Sequence, residues 1–148
     1  MVSGSSKIVL IEGPNLNFIS KRPKIYQSKQ NLNTIIESIS KFVNIEYYQS
    51  NTEGDIINKL QEIMLDTSII GIIINPAAYS HYSLAISDTL EMISDKIKVE
   101  VHLSNIFNRE KERHRLITAK NVDSVISGMG SYGYYIAARY ITDSLQLS

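Results

Sequence analysis

The chain reads as an α/β protein built on a flavodoxin-like, doubly wound, five-stranded parallel sheet in three layers. Three observations point there. Short β-branched runs alternate with amphipathic stretches along all 148 residues. One run, Ile69–Asn75 (IIGIIIN), carries no polar side chain before its last residue, the mark of a central strand buried on both faces. The polar, glycine-bearing segments follow the strands, where open α/β sheets turn into their helices and bind ligands.

Taken in order, Lys7–Glu12 (KIVLIE) supplies the first strand and residues 45–49 a second, more polar one. Ile69–Asn75 is the third, and residues 98–103 and 122–127 give the fourth and fifth. Between them, residues 31–43, 55–65, 83–94 and 132–147 place apolar side chains at helical spacing. Strict β-α alternation implies right-handed crossovers with helices on both faces. No repeat, low-complexity tract or linker interrupts the pattern, so residues 1–148 read as one domain with residues 1–6 flexible.

Composition removes several classes of function. Lys and Arg total 15 and Asp and Glu total 15, so no basic excess suggests nucleic acid or an anionic membrane as partner. The sequence has no apolar run of about 18 residues and no signal-peptide pattern, which leads to a cytoplasmic expectation. With no cysteine, disulfides and thiolate metal sites are excluded. His81, His102 and His114 lack zinc-site spacing, and no metal or cofactor is expected.

Candidate chemistry gathers at the strand ends. Glu100 and His102 are two apart on a strand and so share a face, where a carboxylate orients an imidazole and raises its proton affinity. That suits a general acid, although a salt-bridged, half-buried histidine is the plainer alternative. Residues 20–26 set Lys21, Arg22 and Lys24 around Tyr26; guanidinium charge favours a phenolate, and a phenolate is a base. The plainer alternative is a solvated basic loop, and its length after a strand also fits a lid. Gly13-Pro14-Asn15-Leu16-Asn17 lacks dinucleotide-binding spacing, and its asparagines suit a water or uncharged oxygen better than a pyrophosphate. The glycines of 128–133 read as a tight strand-to-helix turn. Asn75 ends the central strand, Ser80 is a candidate helix N-cap, and His81 opens that helix with Asp88 two turns along the same face. Arg109 and Arg113 sit i, i+4 in a charged, helical-looking stretch, residues 108–115, where a carboxylate-binding arginine competes with a salt-bridged surface helix.

These strings, in this order, resemble the type II 3-dehydroquinate dehydratases. The match consists of Gly13-Pro14-Asn15-Leu16-Asn17, Arg22-Pro23 with Ile25-Tyr26, Gln49-Ser50-Asn51 with Glu53-Gly54, and Ile74-Asn75-Pro76-Ala77-Ala78-Tyr79-Ser80-His81. It continues through residues 99–106, Arg109-Glu110, Arg113, and Gly128, Gly130 and Tyr132-Gly133. The resemblance implies dehydration of 3-dehydroquinate to 3-dehydroshikimate through an enolate, without Schiff base, metal or cofactor. It implies Tyr26 as base, stabilised by Arg22 with Arg109 assisting, and His102, oriented by Glu100, as acid. Asn15 would hold the water that supports the enolate oxygen. Asn75, His81, Leu103, Ser104 and Arg113 match substrate-binding positions, and Asp88 matches one reached across a subunit boundary. A homododecamer of trimers is implied too.

The chain departs from that pattern at several places. The lid is one residue short with Ser20 where glycine is usual, so Lys21 or Arg22 is the stabiliser, Arg22 being preferred. Glu12 replaces an asparagine, glutamine or histidine, an added carboxylate that would oppose an anionic substrate. Tyr82 and Lys111-Glu112 also differ from the pattern. A signalling or binding module of the same fold would use Glu12 and Asp55 as an acidic pocket. Asn75 stands where its phospho-accepting aspartate belongs.

Overall fold

The computed structural model describes residues 2–147. Five strands, β1 (Lys7–Glu12), β2 (Asn44–Gln49), β3 (Ile69–Asn75), β4 (Ile97–His102) and β5 (Ser124–Ser127), run parallel in the order β2-β1-β3-β4-β5. Helices α1 (Leu32–Ser40) and α4 (Tyr132–Leu147) cover one face, and α2 (Glu53–Leu65) and α3 (Leu84–Met92) the other. This is the expected flavodoxin-like, three-layer fold.

Alternation along the strands divides the core. Ile8, Leu10, Ile73, Val99 and Val101 pack on Ile35, Ile39, Tyr134, Ala137 and Ile141, while Val9, Ile11, Ile72 and Ile74 pack on Ile56, Leu60, Ile63, Ile86 and Leu90. Each buried aliphatic side chain contributes roughly 1.5–3 kcal/mol relative to leaving it in water. β4 keeps this phase but carries polar side chains on its second face. Lys98, Glu100 and His102 share the second face, and Lys98 Nζ donates to Leu90 O at the C-terminal end of α3 (2.7 Å), where a cation is favoured.

Element edges differ from expectation where side chains intercept the backbone. β5 begins at Ser124 because the Asp123 carboxylate takes the Lys98 N–H (2.7 Å). Ser80 is not the N-cap of α3: it is buried in a 3₁₀ turn, Ala77–His81, and bonds back to Ala77 O. Ser83 caps α3 instead, accepting from Ile86 N at 3.0 Å. His81 therefore closes the preceding turn and does not share a helix with Asp88. Residues 108–115 form no continuous helix. Two 3₁₀ turns, Ile106–Asn108 and Lys111–Arg113, are separated by extended backbone at Arg109. Of residues 1–6, Met1 lies outside the described residues; Ser6 N donates to Ser3 O (3.1 Å), and Asn44 Nδ2 donates to Gly4 O (2.8 Å).

Candidate active site

The loops after β1, β3 and β4 enclose a cavity of about 170 Å³, sized for a small metabolite rather than a dinucleotide. Ten residues expected in a site line it: Asn15, Arg22, Tyr26, Asn75, His81, His102, Leu103, Ser104, Arg109 and Arg113. Glu100 lies beneath it, fully buried. Asp88 lies outside it, on the exposed face of α3.

The β1 loop must approach the β3 loop closely. A Cβ on Gly13 would lie 2.6 Å from Pro76 O, so glycine alone fits without a backbone shift. Asn15 follows in a left-handed conformation (φ 71°), its N–H held by Asn51 Oδ1 at 2.9 Å.

The lid is two 3₁₀ turns, Leu16–Lys21 and Lys24–Tyr26, tied together by Gln27. Gln27 Nε2 donates to Arg22 O (2.7 Å) and Ser20 O (3.1 Å). Two guanidinium carbons lie over the Tyr26 ring, Arg109 at 4.0 Å and Arg22 at 5.4 Å from its centroid. Lys21 is exposed and off the cavity wall, so the geometry favours Arg22 of the two candidates. Arg109 Nε is buried with no partner among the described residues, a donor aimed at nothing the protein supplies. Burial, with the Arg113 charge beside it, pulls the Arg109 guanidinium below its ordinary range.

On β4, His102 Nε2 lies 2.7 Å from Glu100 Oε2, the interaction that strand alternation predicts. The other carboxylate oxygen accepts from Thr118, a fully buried residue not anticipated from the sequence. Thr118 lies 18 residues from Glu100, at the start of the 3₁₀ turn Thr118–Asn121, and only the fold brings the two together. His81 stacks near His102, ring centroids 6.3 Å apart. Its Nδ1 is 2.9 Å from Arg115 O, a pairing that requires an N–H there. Burial above all, with His102 and Arg113 nearby, pulls the His81 pKa below the usual histidine range. A neutral ring of that tautomer leaves Nε2 as a hydrogen-bond acceptor. Arg113 Nε donates to Glu110 Oε1 at 2.5 Å. Leu103 and Ser104 line the cavity with their carbonyls already engaged, by Gly130 N (2.9 Å) and Ser127 Oγ (3.1 Å).

Glu12 and Asp55 form no acidic pocket. Glu12 is buried against Tyr47 and Tyr134 and does not line the cavity. Asp55 is exposed on α2, accepting from Ser50 Oγ at 3.3 Å. Among the described residues, the cavity wall thus holds three arginines and no carboxylate. Among the described residues, no three histidine or acidic side chains converge as metal ligands do.

Comparison with known proteins identifies the family. The family model described as Dehydroquinase class II matches residues 6–142. A 3-dehydroquinate dehydratase of Thermotoga petrophila is 44% identical over 145 residues, covering 95% of this chain and 97% of that one. One from Bartonella tribocorum is 46% identical over 147 residues, covering 95% and 96%. The crystal structure of a type II dehydroquinase from Butyrivibrio crossotus superimposes with a TM-score of 0.85 at 42% identity, covering 93% of this chain and 97% of that one. Sequence, fold and cavity agree: the chain belongs to the class II dehydroquinase family.

Proposed function

We propose that the chain is a 3-dehydroquinate dehydratase of the shikimate route, a lyase that converts 3-dehydroquinate to 3-dehydroshikimate through an enolate. The observation that carries this reading is the Tyr26 ring covered by two guanidinium groups, in the same cavity wall as an imidazole paired with a buried carboxylate.

Tyr26, as phenoxide, takes a proton from the carbon beside the ketone, and the C–H electrons pass into the enolate. Arg22 and Arg109 supply fixed positive charge that stabilises the phenoxide before the step and the anion during it. Asn15 holds a water against the enolate oxygen. The enolate then collapses and the C–O bond breaks. His102, held by Glu100, delivers a proton to the departing hydroxyl, so water leaves and the new double bond is conjugated with the ketone. The step proceeds without a Schiff base, a reading supported by a lining that holds no lysine among the described residues. Asn75, His81, Arg113 and the backbone at Leu103 and Ser104 bind the substrate's hydroxyls and carboxylate.

The assembly we propose is the dodecamer of trimers, acting in the cytoplasm, in which Asp88 serves a neighbouring protomer's cavity. Its exposed position outside its own cavity supports that role. The test of the reaction is absorbance of the conjugated product on mixing protein with 3-dehydroquinate. Turnover is expected from the wild type, with Tyr26→Phe and His102→Ala each lowering kcat by about 10²–10⁴-fold. Turnover near the wild-type rate in either folded variant would overturn the assignment.

A further inference from the structure

Glu12 directly precedes the Gly13–Asn17 loop, yet its side chain turns away from the cavity and is 3% exposed. It is in phase with Ile8 and Leu10, whose side chains face α1 and α4. Asn75 lies opposite it in the β1–β3 register, so both side chains leave the same sheet face. Tyr134, fully buried in the first turn of α4, spans the two. Its hydroxyl donates to Glu12 Oε2 (2.5 Å) and accepts from Asn75 Nδ2 (3.0 Å). Tyr47 donates to the other carboxylate oxygen at 2.7 Å.

This arrangement has a direction. A carboxylate only accepts hydrogen bonds, so both phenols must point their hydrogens at Glu12. The Tyr134 oxygen is left as an acceptor, which requires Asn75 to turn its Nδ2 toward it. From the other side, Ala77 N–H donates to Asn75 Oδ1 at 3.1 Å. Ala77 adopts φ 54°, a left-handed conformation that residues other than glycine rarely take. Asn75 keeps one free N–H, and it stands in the cavity wall.

We propose that Glu12, acting through Tyr134, is a positioning residue for substrate binding: it sets the direction of a relay that makes Asn75 an N–H donor to a substrate oxygen. The inference rests on the reading of the cavity as a 3-dehydroquinate site. A glutamine at position 12 both donates and accepts, so the relay loses its fixed direction. A phenylalanine at 134 breaks it. Neither change adds or removes a group in the cavity.

The test pairs steady-state kinetics on 3-dehydroquinate with ¹⁵N NMR of the Asn75 side-chain amide in unliganded protein. The proteins compared are the wild type, Glu12→Gln and Tyr134→Phe. Expected are a displaced, faster-exchanging Asn75 amide in both variants and a KM raised about tenfold in Tyr134→Phe, the size of one lost hydrogen bond. Glu12→Gln should fall between, with kcat within about twofold of wild type in both. A purely structural role would lower thermal stability without this KM-against-kcat split. Glu12→Gln, close in shape to the native residue, keeps the test decisive if Tyr134→Phe does not fold. An unchanged Asn75 amide in the folded variants, or a fall in kcat at constant KM, would overturn the proposal. A displaced Asn75 amide in the variants, with a wild-type protein that does not turn over 3-dehydroquinate, would count against the reaction and leave the relay standing.

Discussion

Thr118 has no reacting atom to touch, yet its hydroxyl donates to the buried carboxylate that holds His102. Thr118→Val keeps the shape and deletes the donor, leaving a fully buried Glu100 oxygen unsatisfied. The expected loss is about 1–3 kcal/mol of stability in urea unfolding, together with a lower kcat. Glu12 allows a test by pH. Burial pushes its carboxyl above the ordinary range, against the pull of the Tyr134 and Tyr47 hydroxyls. The folded protein therefore holds that proton more tightly than the unfolded chain does. That contribution is fully present below the ordinary carboxylate pKa and is lost as pH rises through the native value. The stability difference between wild type and Glu12→Gln should thus favour the wild type most below the ordinary carboxylate pKa and shrink as pH rises above it, as read by urea unfolding across the range. A difference that does not vary with pH would contradict the burial described here. Single residues also mark how far the sequence could be read. Glu100 and His102 were legible because two-residue spacing on a strand fixes their face. Thr118 was not, because nothing local relates position 118 to position 100. Glu12 was read as an intruder in the site for want of Tyr134, more than a hundred positions away, which gives its carboxylate another partner.

At the scale of elements, the Gln27 side chain joins the two turns of the lid. Gln27 bonds to two lid carbonyls, so Gln27→Ala should loosen residues 16–26, Arg22 and Tyr26 included, without deleting any side chain that lines the cavity. Faster proteolytic nicking within the lid and a lower kcat/KM are expected; unchanged nicking would remove Gln27 from that role. Gly13→Ala presses a methyl group on Pro76 O and should displace the Asn15 loop from the β3 loop. Strand interiors were legible because runs such as IIGIIIN have few other ways to be buried. Their edges were less so, since Asp123 captures the Lys98 N–H and starts β5 two residues late. The stretch 108–115 misled because i, i+4 arginines look helical. Extended backbone at Arg109 breaks the helix, and that break lets the arginine reach Tyr26.

Over the whole molecule, the strand order brings loops distant in sequence to one sheet edge, and their charge does not match the chain's. Lys and Arg balance Asp and Glu overall, while the cavity wall has, among the described residues, three arginines and no carboxylate. An anionic substrate should be drawn there, so kcat/KM is expected to fall a few-fold as ionic strength rises from about 0.05 to 0.5 M. A salt-independent kcat/KM would mean that the arginines act only by contact. If Asp88 serves a neighbouring protomer, Asp88→Asn should raise KM while light scattering still finds the assembly intact. The division of labour between Tyr26 and His102 is tested most directly by NMR of 3-dehydroquinate in D₂O with the two variants. His102→Ala should still exchange the proton beside the ketone for deuterium while forming little product, and Tyr26→Phe should do neither. Exchange that survives in Tyr26→Phe, or vanishes in a folded His102→Ala, would contradict a phenoxide base and a separate imidazole acid.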